Sequence, residues 1–342
     1  MVSAICKELQ IRKSYVSDNV KTIYFGGGTP SLLTASQLNL ILESIRTHYD
    51  LAHELEITLE CNPDDLTEKK LNQLRSAGVN RLSIGVQSFS QEVLTFMNRA
   101  HDSSQAEQSI KMAQNAGFDN ITADLIYGVP DRSLKMWQED VLKMIDLNVQ
   151  HISAYCLTVE PNTYFGHLQN NNQLQLPADE QSLLQFEWMV NTLENAGFEH
   201  YEISNFAKEG YESKHNSSYW LGNNYLGVGP SAHSFNGESR SWNVSNNHVY
   251  NRELQNDSLV TETEHLSRED QFNEYILTRL RTKWGVDLSW VKTKLTKAEL
   301  TIFNEQLNTF IGNNKLRESG DIITLTKEGK FIADYIASEL FV

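Results

Sequence analysis

Three cysteines in 342 residues, at positions 6, 61 and 156, form none of the close pairs that seed zinc or iron–sulfur sites, and their number suits a reducing compartment. No run is apolar enough to cross a bilayer. The opening Met1–Leu9 already carries charge at Lys7, so it lacks the basic-then-apolar order of a secretion signal. Basic side chains are also scarce: 29 Lys and Arg against 44 Asp and Glu leave a formal net charge of -15, which repels phosphate backbones and anionic lipid. The expectation is a cytoplasmic protein with no transmembrane segment and no nucleic-acid partner.

What the chain does have is alternation. Short β-rich runs at 22–25, 55–60, 81–86, 121–127 and 151–157 are separated by amphipathic stretches at 36–49, 67–77, 103–116 and 134–147, with Gly78 and Gly117 as helix stops. Alternation of this kind predicts a parallel α/β sheet. Residues 1–15 read as a helix that a preceding strand would normally feed, so the first strand is missing. A further helix is expected at 180–196, and 201–242 reads as packed loop with short strands. From 266 the texture changes to helices at 268–283 and 297–312, a strand at 322–326 and a helix at 329–340. The predicted division is a barrel over 1–200, a loop-rich segment over 201–262 and a small winged-helix-like α+β domain over 263–342.

In parallel α/β barrels the loops after the strands build the site, so polar residues at C-terminal strand ends are the ones to question. The first run ends in Gly26-Gly27-Gly28-Thr29-Pro30, where glycines let backbone N–H groups approach an anionic or carbonyl group; a tight turn into a helix is the equal alternative. No Gly-Lys-Ser/Thr follows, and a dinucleotide fingerprint would need glycine at Ser31, so a nucleoside triphosphate is not expected. The following strands deliver Glu60, then Gln87, then Asp124. Buried carboxylates need donors, and Arg99 or the amine and hydroxyls of a ligand would supply them.

Taken together, Tyr24–Pro30, Glu60-Cys61-Asn62-Pro63, Arg81–Phe89, Asp124–Pro130 and Tyr201–Asn205 resemble the oxygen-independent coproporphyrinogen oxidase group of the radical S-adenosylmethionine superfamily over nearly the whole chain. The resemblance implies a partial (β/α)6 TIM-like barrel lacking its first strand. It also implies S-adenosylmethionine held by Gly26, Gly27, Gly28 and Thr29 with Glu60, Gln87, Arg99 and Asp124. Members of the group place three close cysteines after the first strand to hold a 4Fe-4S cluster. Cys6, Cys61 and Cys156 match none of them, so a cluster is expected only in a full-length form, with truncation favoured over natural loss. Whether this chain is an enzyme is therefore open.

The segment His215-Asn-Ser-Ser-Tyr219-Trp220 resembles the heme-associated motif of the group's chaperone branch, which makes His215 the proposed axial ligand of heme iron. Tyr219 and Trp220 would give flat apolar area to a porphyrin. His233, in a loop shared across the wider group, is read as structural. The function implied is a heme chaperone that passes heme to an acceptor protein. The alternatives are oxidative decarboxylation of coproporphyrinogen and a non-catalytic truncated relative.

Overall fold

The computed structural model describes residues 1–342, which divide into two compact units. One comprises Tyr24–Leu33 and Ile57–Glu212; the other comprises Met1–Ile23, Thr34–Glu56 and Ser213–Val342. The chain begins with helix α1 (Val2–Ile11) and continues through strand β1 (Val20–Phe25), helix α2 (Ala35–His48) and strand β2 (Leu51–Cys61). Helix α1 is shorter than the expected span to residue 15: it is capped at Arg12, and the following residues turn rather than wind on.

Alternation then follows: α3 (Glu68–Ala77), β3 (Arg81–Gln87), α4 (Gln91–Phe96), α5 (Ser103–Asn115), β4 (Ile121–Tyr127), α6 (Leu134–Asp146), β5 (His151–Cys156), α7 (Tyr164–Asn170) and α8 (Asp179–Asn195). Helix starts are written into the sequence. Thr67 and Ser133 accept backbone N–H groups at the starts of α3 and α6, and Asp102 with Gln105 forms a capping box on α5. Strands β2 to β5 pair in parallel. The hairpin of β6 (Glu199–Glu202) and β7 (Asn205–Ala207) ends the sheet, with β7 antiparallel to β5, to give the order β1-β2-β3-β4-β5-β7-β6. This is a partial TIM-like barrel: five sequential strands, ended by an antiparallel pair.

Period-two alternation decides what each face of the sheet carries. Leu59, Leu82, Ile84, Ile121, Ala123 and Leu125 are fully buried and share one parity. The other parity brings Thr58 and Glu60, Arg81 and Ser83, Thr122 and Asp124, and His151 and Ser153, so one face of a largely buried sheet is polar. Polar side chains are costly to bury without partners. Their concentration on one face marks it as the face that holds the site.

The second unit packs α1 against α2 and against α10 (Asn247–Gln255), where Ala4, Tyr250 and Leu254 form a small apolar cluster. It also holds α9 (Lys214–Trp220) and an antiparallel sheet of β8 (His233–Phe235), β9 (Ser239–Asn243) and β10 (Thr261–His265). The chain closes with α11 (Arg268–Leu280), β11 (Val286–Asp287), α12 (Leu288–Lys294), α13 (Lys297–Gly312), β12 (Leu316–Ser319), β13 (Ile322–Leu325), α14 (Lys327–Lys330) and α15 (Ala333–Glu339). The single final helix expected at 329–340 is instead two: Thr326 caps a first turn, and Gly329 lies against the Lys315 carbonyl before α15 restarts. No helix is long and apolar enough to cross a membrane.

Candidate functional site

The glycine triplet follows β1 directly. Gly27 and Gly28 have φ of 73° and 64°, left-handed values that disfavour any side chain. A Cβ on Gly26 would come within 2.5 Å of the Tyr24 ring and 2.9 Å of Glu60 Oε1, so bareness there lets Glu60 reach in. Glu60 accepts from the Tyr24 hydroxyl at 2.8 Å and from the Gly27 N–H at 3.1 Å. The sequence offered this loop's N–H groups to an outside anion; one of them already serves Glu60. Burial and the Glu60 charge together push the Tyr24 phenol far above its ordinary range, which keeps it a donor. Thr29 carries the backbone into the turn that starts at Pro30.

Gln87 owes its position to a register break. Ile84 pairs with Ala123 but Gln87 pairs with Leu125, so one extra residue bulges from β3, and Gln87 takes φ of 65°. Just beyond, a buried Arg132–Asp140 ion pair at 2.7 Å pins Ser88, whose hydroxyl donates to Asp140 at 2.7 Å. A Cβ on Gly85 would meet Gln87 Nε2 at 2.9 Å and Arg99 Nη2 at 3.4 Å, so both side chains lie over that glycine. Arg99 donates to Asn62 Oδ1 at 3.0 Å and to the Gly85 carbonyl at 3.4 Å. It is therefore not the hydrogen-bond donor of Glu60 or Asp124.

Asp124 stands opposite Ser153 in the β4–β5 register and bonds its side chain. Desolvation pushes its carboxyl up to about 7; Ser153 opposes this, the Glu60 charge adds to it, and Arg81 and Arg99 oppose it. Those influences mean that Glu60, Arg99 and Asp124 lie within one another's fields, and Gln87 lies beside Arg99. The glycine loop thus meets Glu60; Gln87 and Arg99 lie over Gly85; and Glu60 and Asp124 share one face of the sheet. Tyr24 and Asn62 were legible only as parts of the matching segments, without a role, and Ser153 was not singled out, although each lies on or just beyond a strand of the set; a polar residue facing the same parity was the available signal.

The donor set suits a small zwitterionic cation such as S-adenosylmethionine. Glu60 and Asp124 are held by neutral donors and make no ion pair, which keeps acceptor capacity for an ammonium or hydroxyls, while Arg99 offers N–H to a carboxylate. A 4Fe-4S cluster does not fit this chain's residues. Cys61 is buried with its thiol pushed up by desolvation, Cys156 is exposed, Cys6 is half-buried on α1, and no three His, Cys, Asp or Glu side chains group to hold a metal.

His215 lies in the other unit, on α9. The buried Glu56 carboxylate accepts the N–H groups of Lys214 at 3.1 Å and His215 at 3.0 Å, and Ser213 caps Asn216 at 3.2 Å. His215 Nδ1 pairs with Thr22 Oγ1 at 2.9 Å. One helical turn on, Tyr219 meets the imidazole edge-to-face at 4.9 Å. Trp220 points elsewhere, with the Arg281 guanidinium 5.5 Å from its ring. His233 is exposed and packs 5.8 Å from Trp242. Neither Thr22 nor Glu56 was singled out from sequence, since nothing local ties residues 22, 56 and 215 together.

A radical SAM architecture is what this fold, with its polar strand ends, defines. Residues 7–144 match the Radical SAM superfamily and residues 266–332 match the HemN C-terminal domain. The fold superposes on Escherichia coli coproporphyrinogen III oxidase (HemN), described as a radical SAM enzyme, with a TM-score of 0.83 at 21% identity, covering 99% of this chain and 82% of that one. Among curated relatives, heme chaperone HemW of Lactococcus lactis is 34% identical over 96% of this chain and 86% of its own length. HemW of Bacillus subtilis is 34% identical over 93% of this chain and 84% of its own length. The chain belongs to the HemW heme chaperone family.

Proposed function

We propose that this protein binds heme through His215, holds S-adenosylmethionine at the strand ends through Glu60, Gln87, Arg99, Asp124 and the Gly26–Thr29 loop, and hands heme to an acceptor protein. The observation that carries the heme reading is the fixing of an imidazole on a capped helix. Thr22 at Nδ1 and the capped helix fix the ring, and supporting hydrogen bonds of this kind set the orientation of a ligating histidine. Tyr219 supplies an aromatic edge beside it. S-adenosylmethionine would bring an ammonium, a carboxylate, a sulfonium and ribose hydroxyls. Glu60 would take the ammonium, Arg99 the carboxylate, and Asp124 and Gln87 the hydroxyls.

Hemin titration followed at the Soret band tests the reading. Wild-type protein should bind with the spectrum of an imidazole-ligated heme, and His215→Ala should lose that spectrum and bind at least about tenfold more weakly. Unchanged spectra in the variant would remove His215 from the proposal.

A further inference from the structure

Residues 97–102 connect α4 to α5, and His101, 2% exposed, is the only buried side chain among them. A desolvated imidazole in a connecting turn is costly unless its nitrogens find partners. Nε2 lies 3.1 Å from the Val86 carbonyl, which can only accept, so the ring's proton sits on Nε2. Val86 belongs to the bulge that aims Gln87, and its carbonyl also accepts the Ser88 N–H at 2.8 Å. His101 therefore ties the connection to the irregular end of β3.

The other nitrogen faces a different strand end. Nδ1 has no hydrogen-bond partner and stands 4.0 Å from Asp64 Oδ1. Asp64 lies in the turn Pro63–Asp65 after β2. Its neighbours there are already engaged: Asn62 accepts from Arg99 at 3.0 Å, and Asp65 accepts at 2.5 Å from the hydroxyl of Ser31, just past the glycine loop. Burial pulls the imidazole's pKa below its ordinary value, with the Arg99 charge adding to this and the Val86 carbonyl, Asp64 and Asp102 opposing it, so the ring is neutral at neutral pH. Arg99 itself is set by the same stretch of backbone: Asn98 turns the chain at φ of 52°, and the Arg99 N–H donates to the Leu94 carbonyl at 2.9 Å. Two residues on, the imidazole fastens that stretch to β3, so a shift of the ring carries Arg99 with it.

We propose that His101 is a positioning residue for the strand ends: without touching the ligand, it fixes the backbone from which Arg99 reaches a carboxylate and the bulge from which Gln87 reaches a hydroxyl. This rests on the S-adenosylmethionine reading above and deepens it by naming what sets those two contacts. A guanidinium displaced by about an ångström loses much of a directed contact with a carboxylate, so the ring governs affinity at second hand.

Calorimetry with S-adenosylmethionine and with its decarboxylated analogue tests this. His101→Leu should bind S-adenosylmethionine about tenfold more weakly but the analogue only about two- to threefold more weakly, because the analogue has no carboxylate for Arg99 to miss. His101→Gln keeps an N–H for the Val86 carbonyl and should return S-adenosylmethionine affinity to within about threefold of wild type. If the leucine variant loses its fold, an NMR pH titration of the wild-type imidazole decides instead: a ligand carboxylate on Arg99 should raise the His101 pKa, and the analogue should not. Undiminished affinity or equal losses for the two ligands in folded His101→Leu, a glutamine variant no better than leucine, or a His101 titration that S-adenosylmethionine leaves in place overturns the positioning role and leaves the ligand site standing. Wild-type protein that binds neither ligand sinks the S-adenosylmethionine reading, and this role with it.

Discussion

The strand ends and the imidazole helix hold their key groups in opposite ways. At the strand ends the key groups are ionisable and their holders neutral: Tyr24 and Gly27 hold Glu60, Asn62 holds Arg99, and Ser153 holds Asp124. On α9 the key group is an imidazole, and the charge sits behind it, in Glu56 gripping the helix start. The first arrangement suits a polar, ionic ligand that competes for existing hydrogen bonds; the second suits a metal carried in a flat apolar body.

The comparison breaks most readily at Glu60. Replacing it by Ala removes the acceptor of Tyr24 and Gly27 and the expected partner of an ammonium. Binding of S-adenosylmethionine, measured by calorimetry, should weaken by about 10- to 100-fold while hemin affinity holds. A parallel fall in both would mean that the two sites are not distinct in their chemistry.

Glu56→Gln is the mirror experiment. The Lys214 and His215 N–H groups bond different oxygens of Glu56, so an amide keeps a neutral acceptor for one and sets its NH2 against the other, and the helix should loosen without unfolding. Hemin should bind about five- to tenfold more weakly, with S-adenosylmethionine unaffected. Hemin affinity equal to wild type would show that the clamp is scaffolding alone.

How far the sequence revealed each region follows from the same contrast. A parallel α/β alternation tells in advance that strand ends converge, so Glu60, Gln87 and Asp124 could be named before any fold was known. Their partners could not, because the bulge that aims Gln87 and the side chains that lie over Gly26 and Gly85 follow from register. His215 was visible only through resemblance to a motif. Its supports come from residues 193 and 159 positions away in sequence, and no periodicity connects them. The broken final helix shows the same limit: its apolar spacing was legible, but the packing of Gly329 against the Lys315 carbonyl was not.

Asp124 sharpens the contrast by pH. Its carboxyl is raised in the folded state to about 7 from an ordinary value of 3.8, so the folded protein binds a proton more tightly than the unfolded chain does. Its contribution to stability is complete below pH 3.8 and is lost as pH rises through about 7. Relative to Asp124→Asn, the wild-type Tm should therefore fall by a few degrees, on the order of 2–4 °C, between pH 5 and pH 8. Parallel Tm curves for the two proteins would place the Asp124 titration outside that window.

The smallest effect belongs to Thr22→Val. The substitution keeps shape and deletes one neutral hydrogen bond to His215 Nδ1, so the imidazole gains rotational freedom while the helix stays capped by Glu56. Hemin affinity should drop about two- to fivefold, with a broadened Soret band as the ring samples more orientations. A drop as large as that of His215→Ala would make Thr22 a determinant of ligation itself, and the division between a charged clamp and a neutral orienting bond would have to be redrawn.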